Sequence, residues 1–223
     1  MLLDIYKEAN VPLTQAFDTT YPTFFLHPLV EYDALVNHAG VVDLTHWRVL
    51  IAAGRDRAGF LNAMLTSDIA ALTAGQGCHS TITTVKGKII AELYVFARSD
   101  DHLLLMPSGD LNEVTATLDK HIISEDVTIA DVTSEYGVLG VEGPKAAPIL
   151  NRLFLTGAIE LPENRFDIVD GRFESFGLSV INNTCTGDGG YHIVVPSSEV
   201  ARIRQYLVQA ARGSDALPIG HTA

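Results

Sequence analysis

The chain repeats itself. A shift of 89 positions lays VLGVEGPKAAPILNRLF (138–154) on VLIAAGRDRAGFLNAML (49–65), matching Gly143 with Gly54, Ile149 with Phe60, Leu150 with Leu61 and Asn151 with Asn62. The same shift sets HIVVPSSE (192–199) on LLLMPSGD (103–110), so that Pro196 meets Pro107 and Ser197 meets Ser108, and it later brings Leu207 onto Leu118. One register held over three segments marks an internal duplication. Whatever the fold is, it must be built twice from one plan.

Each copy reads as a strand, a glycine, an amphipathic helix, two or three strands, a second helix and a last strand. In the first copy the pattern predicts strands near 48–53, 76–84, 88–97, 102–107 and 126–131, with helices near 56–66 and 110–122. The second copy begins near 136, with helices near 145–155 and 198–212, and DALPIG (215–220) supplies its last strand. Ser108 and Ser197 follow prolines and can cap the helices after them. The expected class is α+β, two internally duplicated split βαβ-type units with mainly antiparallel sheets. Residues 45–132 form the first repeat, 133–223 the second, and 1–44 an N-terminal extension packing on the one domain they make.

Composition excludes several functions. A formal charge of −12 without a Lys/Arg cluster argues against nucleic acid and anionic membrane as partners. Cys78 and Cys185 have no CxxC or Cys/His spacing, and the eight histidines include no HExxH-like pair, so neither a disulfide framework nor a bound metal is expected. The start MLLDIYKEANVPL lacks the order of a signal peptide, and no apolar run approaches the ~20 residues of a spanning helix. A cytoplasmic protein acting on a small molecule is expected.

Three stretches could carry chemistry. In KIIAELYVF (88–96) Ile89, Ala91, Leu93 and Val95 share one strand face, while Glu92 lies between Ile90 and Tyr94 on the other. There a partly desolvated carboxylate could accept or share a proton, or it could be solvated at a sheet edge or paired with Lys86 or Lys88. In CTGDGGYHI (185–193) the glycines suit positive φ; Asp188-Gly189 could be a plain hairpin turn, or the turn could let a flat ligand approach the backbone beside His192. His79, in GQGCHSTI, could line a pocket or be an exposed strand residue.

The succession AGVVDLTHWRVLIAAGRDRAGFLNAMLTSDIAALTAGQGCHSTITTVKGKIIAELYVF, then VEGPKAAPIL, then CTGDGGYHI resembles the folate-binding domain of the aminomethyltransferase superfamily. That superfamily includes the glycine-cleavage T-protein, the folate domains of sarcosine and dimethylglycine dehydrogenases, and the YgfZ iron–sulfur maintenance proteins. The likeness runs from about Tyr32 to Ala223. It implies tetrahydrofolate as cofactor, held between the two repeats, and transfer of an aminomethyl or methyl one-carbon group. Glu92 falls where the family keeps an acidic residue that assists the N5 nitrogen of the folate, which implies the catalytic role for it.

The resemblance likewise assigns His79, Cys185, Asp188, Tyr191 and His192 to cofactor binding. His192 occupies the place of a glutamate that reads the pterin edge through paired hydrogen bonds, and an imidazole cannot accept two parallel N–H bonds. Cys185 and His79 each replace a tyrosine. The family's C-terminal barrel domain lies beyond the end of this chain, so a separate chain supplying that domain is an expected partner. The alternative is a non-catalytic accessory or binding protein that keeps the scaffold without the pterin clamp.

Overall fold

The computed structural model describes residues 2–16, 19–154, 159–211 and 216–221. The element ends expected at 155, 212 and 215 lie outside the described residues. In chain order the elements are α1 (Leu2–Glu8), β1 (Leu13–Ala16), β2 (Thr19–Pro22), α2 (Pro28–Asn37) and β3 (Gly40–Asp43). There follow β4 (Arg48–Ala53), α3 (Arg57–Met64), β5 (Gly77–Thr83), β6 (Ile89–Ala97), β7 (Asp101–Met106), α4 (Leu111–Asp119) and β8 (Thr128–Asp131). The remainder is β9 (Tyr136–Glu142), α5 (Ala146–Leu153), β10 (Ile168–Phe173), β11 (Phe176–Ile181), β12 (Gly190–Pro196), α6 (Val200–Ala211) and β13 (Leu217–Ile219). The architecture is α+β with mainly antiparallel sheets. No helix among the described residues is long and apolar enough to cross a membrane.

The chain folds as two compact units. One comprises Trp47–Glu135 with Phe166–Ile168. Its five-stranded sheet has the order β5-β6-β7-β4-β8, every neighbour antiparallel. The alternation of β6 decides which face is covered: Ala91, Leu93 and Val95 join Leu50, Leu104 and Met106 in a core closed by Phe60 and Leu61 of α3 and Val114 and Leu118 of α4. Glu92 and Tyr94 stand on the other face. The alternation breaks at Ile89, which is 61% exposed, while Ile90 packs on the core. A register shift opposite Ile82/Thr83 causes this, because a bulge moves the residues beyond it to the other face.

The other unit comprises Met1–His46, Tyr136–Arg165 and Val169–Ala223. Its six-stranded sheet runs β10-β11-β12-β9-β3-β13, with β13 parallel to β3. Without β3 this is the strand order of the five-stranded sheet. The residues before 44 therefore do more than pack on the sheet: Gly40–Asp43 pairs antiparallel with β9 and enters it. Tyr191, Ile193 and Val195 of β12 lie over a core completed by Ile149 and Leu150 of α5 and Ile203, Leu207 and Ala211 of α6. The spacing of the last three, i, i+4 and i+8, puts one stripe of α6 on the sheet.

The serine caps expected from sequence are not used. The side chain of Asp110 caps α4 by accepting from the N–H groups of Asn112 and Glu113, and Ser197 opens a 3-10 turn without side-chain capping. Asp110 is as good a capping residue as serine and stands one residue before the helix.

Candidate functional site

Two polar clusters stand out, one in each unit. The first sits on β5 and β6. In register His79 faces Tyr94 and Thr81 faces Glu92, so His79 and Glu92 are diagonal neighbours within reach of long side chains. His79 Nε2 lies 2.7 Å from Glu92 Oε1, and the Tyr94 hydroxyl donates to the same oxygen at 3.4 Å. The Tyr94 ring stacks on Trp47 with centroids 5.7 Å apart and planes at 12°, and His79 and Phe166 lie 5.2 and 6.1 Å from it.

The side chains of His79 and Glu92 are 44% and 41% exposed, so the pair adds about 1 kcal/mol or less to stability. Its partner is therefore the histidine of the adjacent strand, rather than Lys86 or Lys88, among the described residues. What the arrangement offers is chemical: a half-exposed carboxylate beside the partly exposed ring of Tyr94, which is backed by the buried Trp47. The carboxylate can accept N–H donors from a planar ring stacked nearby.

The second cluster gathers at the end of β9, on β12 and in the loop before it. Glu142 and His192 are buried, and His192 Nε2 lies 3.1 Å from Glu142 Oε1. The Cys185 thiol lies 3.7 Å from the same Nε2. The other carboxylate oxygen, Oε2, accepts from the Thr184 hydroxyl, from the Cys185 N–H at 3.1 Å and from the Thr186 hydroxyl at 3.4 Å. Gly187 and Gly189 take φ of 90° and 92° to turn the loop. Asn183, just before it, is buried with neither amide atom hydrogen-bonded among the described residues.

The expected site residues belong to both units. His79 and Glu92 are brought together in one unit, and Cys185 and His192 in the other. Asp188 is exposed at the tip of the turn. Tyr191 points to the opposite sheet face from His192, against the core, where burial pushes its phenol up. Four participants were missed. Nothing in the spacing of Trp47 or Phe166 marks them, and Tyr94 was visible only as the neighbour of Glu92 on one strand face. Glu142 did leave a signal: a carboxylate closing the apolar strand VLGVE, where the other copy has Ala53.

A model of the family described as "GCVT N-terminal domain" matches residues 2–223. The chain is 25% identical over 222 residues to an aminomethyltransferase of Thermoanaerobacter pseudethanolicus and 26% identical over 221 residues to that of Bacillus subtilis. Each alignment covers 98% of this chain and 60% of the relative. The chain thus spans about three fifths of the length of the curated relatives it matches. In fold it is similar to a glycine cleavage system aminomethyltransferase T from Bartonella henselae, with a TM-score of 0.86, 21% identity, and 100% of this chain and 59% of that one covered. It is also similar to a chain of the heterotetrameric sarcosine oxidase of Corynebacterium, with a TM-score of 0.59, 16% identity, and coverage of 85% and 93%.

Proposed function

Since the chain belongs to the GCVT N-terminal domain family, we propose that it binds tetrahydrofolate or a related flat one-carbon carrier on the face that presents Glu92. One observation carries the reading: a half-exposed carboxylate held 2.7 Å from His79 beside the stacked rings of Tyr94 and Trp47. A planar heteroaromatic ring finds the partly exposed Tyr94 ring as its aromatic neighbour there, and its N–H groups find a carboxylate. Relatives named aminomethyltransferases point to aminomethyl or methyl transfer as the reaction. Glu92 then accepts the proton of the acceptor nitrogen as that nitrogen bonds to the one-carbon unit and the bond from this carbon to its donor breaks, the donor leaving with the electron pair; His79 acts as a positioning residue for the carboxylate.

The chain contains one tryptophan, Trp47, which serves as the reporter. Titration with tetrahydrofolate or its 5,10-methylene form should quench its emission saturably. Replacing Glu92 by Ala should weaken binding by about 10- to 100-fold, the worth of a charge-assisted hydrogen bond of roughly 1.5–3 kcal/mol. Emission unchanged in the wild-type chain would sink the proposal.

A second reading, docking of another polypeptide without catalysis, is favoured by α2. Ala34 and Leu35 of this helix cover Ile219 of β13, and Leu29, Tyr32 and Val36 form a stripe on its outer side that is 71%, 57% and 40% exposed. Stripes of this spacing are what a partner helix or domain covers. The remaining two fifths of the Bacillus subtilis relative, made as a separate chain, should bind the wild-type protein and not the Leu29→Lys variant. Equal binding by both would remove α2 from the account.

A further inference from the structure

We propose that Glu142, Cys185 and His192 form a binding site for a divalent transition-metal ion, zinc above all. The proposal does not rest on the folate reading. The three ligand atoms all lie within 4.8 Å of one another. Two of the three separations meet at His192 Nε2, which lies 3.1 Å from Glu142 Oε1 and 3.7 Å from Cys185 Sγ. That convergence separates a metal vertex from a nucleophilic relay. In a relay, the thiol uses one ring nitrogen and the carboxylate orients the other; here both face the same one.

The distances suit the ion. Tetrahedral zinc with bond lengths of about 2.0 Å to O and N and about 2.3 Å to S places N and O roughly 3.3 Å apart, and N and S roughly 3.6 Å apart. These two pairs fall within a few tenths of an ångström of those edges, and the third, between carboxylate and thiol, lies within 4.8 Å. A thiolate, an imidazole and a carboxylate form a ligand set that favours zinc over magnesium or calcium, which prefer oxygen alone. Thiolate and carboxylate together neutralise a dication, so a largely buried site would carry no net charge.

Neighbouring groups hold the carboxylate in place. Glu142 Oε2 is engaged by the Thr184 hydroxyl, the Cys185 N–H and the Thr186 hydroxyl, which orients the carboxylate so that Oε1 faces the histidine. His192 and Glu142 are buried, at 0% and 1% exposure, and fixed on adjacent paired strands. Cys185 is exposed on the glycine-rich loop, which gives the ion an entry path from solvent. Sequence spacing could not reveal this site, because Glu142 and His192 stand 50 residues apart.

The test is titration of the full chain, freed of metal by chelator, first with Co²⁺ and then with Zn²⁺, in the absence of folate. One equivalent of Co²⁺ should give a thiolate-to-cobalt charge-transfer band and the intense visible bands of a tetrahedral ion, and Zn²⁺ should displace it. The Cys185→Ser variant should lose the charge-transfer band and bind Zn²⁺ at least ~100-fold more weakly, beyond the 10–100-fold loss typical of an outer partner. Because Cys185 is exposed, this variant keeps the test valid if His192→Ala fails to fold. No saturable uptake would overturn the proposal. Uptake that the Cys185→Ser variant matches to within tenfold would do the same, since the ion would then be bound elsewhere.

Discussion

At the scale of single residues, buried polar groups decide more than the exposed pair at Glu92. Glu31 of α2 is fully buried, and one carboxylate accepts three backbone N–H groups: Phe25 at 2.5 Å, Leu26 at 2.6 Å and Gly220 at 2.8 Å. It ties two distant stretches of chain to one helix. Glu31→Ala should destabilise the protein by roughly 3 kcal/mol or more in urea melts, because three donors lose an acceptor where water cannot replace it, and Glu31→Gln should cost less. His102, on β7 opposite Ala52 and Ala97, is 4% exposed, and neither ring nitrogen has a hydrogen-bond partner among the described residues. Burial, and next the Arg57 charge, push its pKa down, with Asp101 opposing. Below about pH 6.5 the unfolded chain therefore takes up a proton that the folded one refuses, and stability falls as pH drops. Replacing His102 by Leu should shrink the drop in urea midpoint between about pH 7.5 and about pH 5.5, while an unchanged drop would contradict the assignment. Neither residue was legible in the sequence. A Glu in a helix and a His in a strand look like surface residues until tertiary packing covers them.

At the scale of elements, the sequence was most readable where periodicity and turn chemistry agreed. Gly54 and Gly143, matched by the duplication, each end a strand and open a helix with φ of 106° and 104°. A Cβ at Gly54 would stand 2.2 Å from the Asp126 carbonyl oxygen, and at Gly143 2.7 Å from that of Leu35. By contrast Gly87, at φ 77°, has open space around it. Gly54→Ala should therefore cost about 2–3 kcal/mol and Gly87→Ala about 1 kcal/mol, a ranking that thermal melts of the two variants would check. The matched helix positions agree as well: Leu118 and Leu207 are fully buried, and Asn62 and Asn151 exposed. We propose on this ground that the two halves descend from one unit. What could not be read was the entry of β3 between β9 and β13, because a strand of four residues, GVVD, has no partner pattern in the sequence that announces where it pairs. The bulge opposite Ile82/Thr83 was hidden for the same reason, since a register shift depends on the neighbouring strand and not on the bulged residues themselves.

At the scale of the whole molecule, the fold was legible because a duplicated motif order and a family resemblance pointed to one architecture. The candidate site was legible only in part. Glu92 and His79 emerged as one pair, while Cys185 and His192 turned out to surround a carboxylate, Glu142, that no spacing rule connects to them. Glu92 is the group proposed to meet a flat one-carbon carrier. Isothermal titration of the full chain with tetrahydrofolate at tens of micromolar, run beside the Glu92→Gln variant, tests this most directly. Saturable heat in the wild type, with binding weakened by about tenfold or more in the variant, is the predicted result. No heat in the wild type, or equal heat in both, would contradict it.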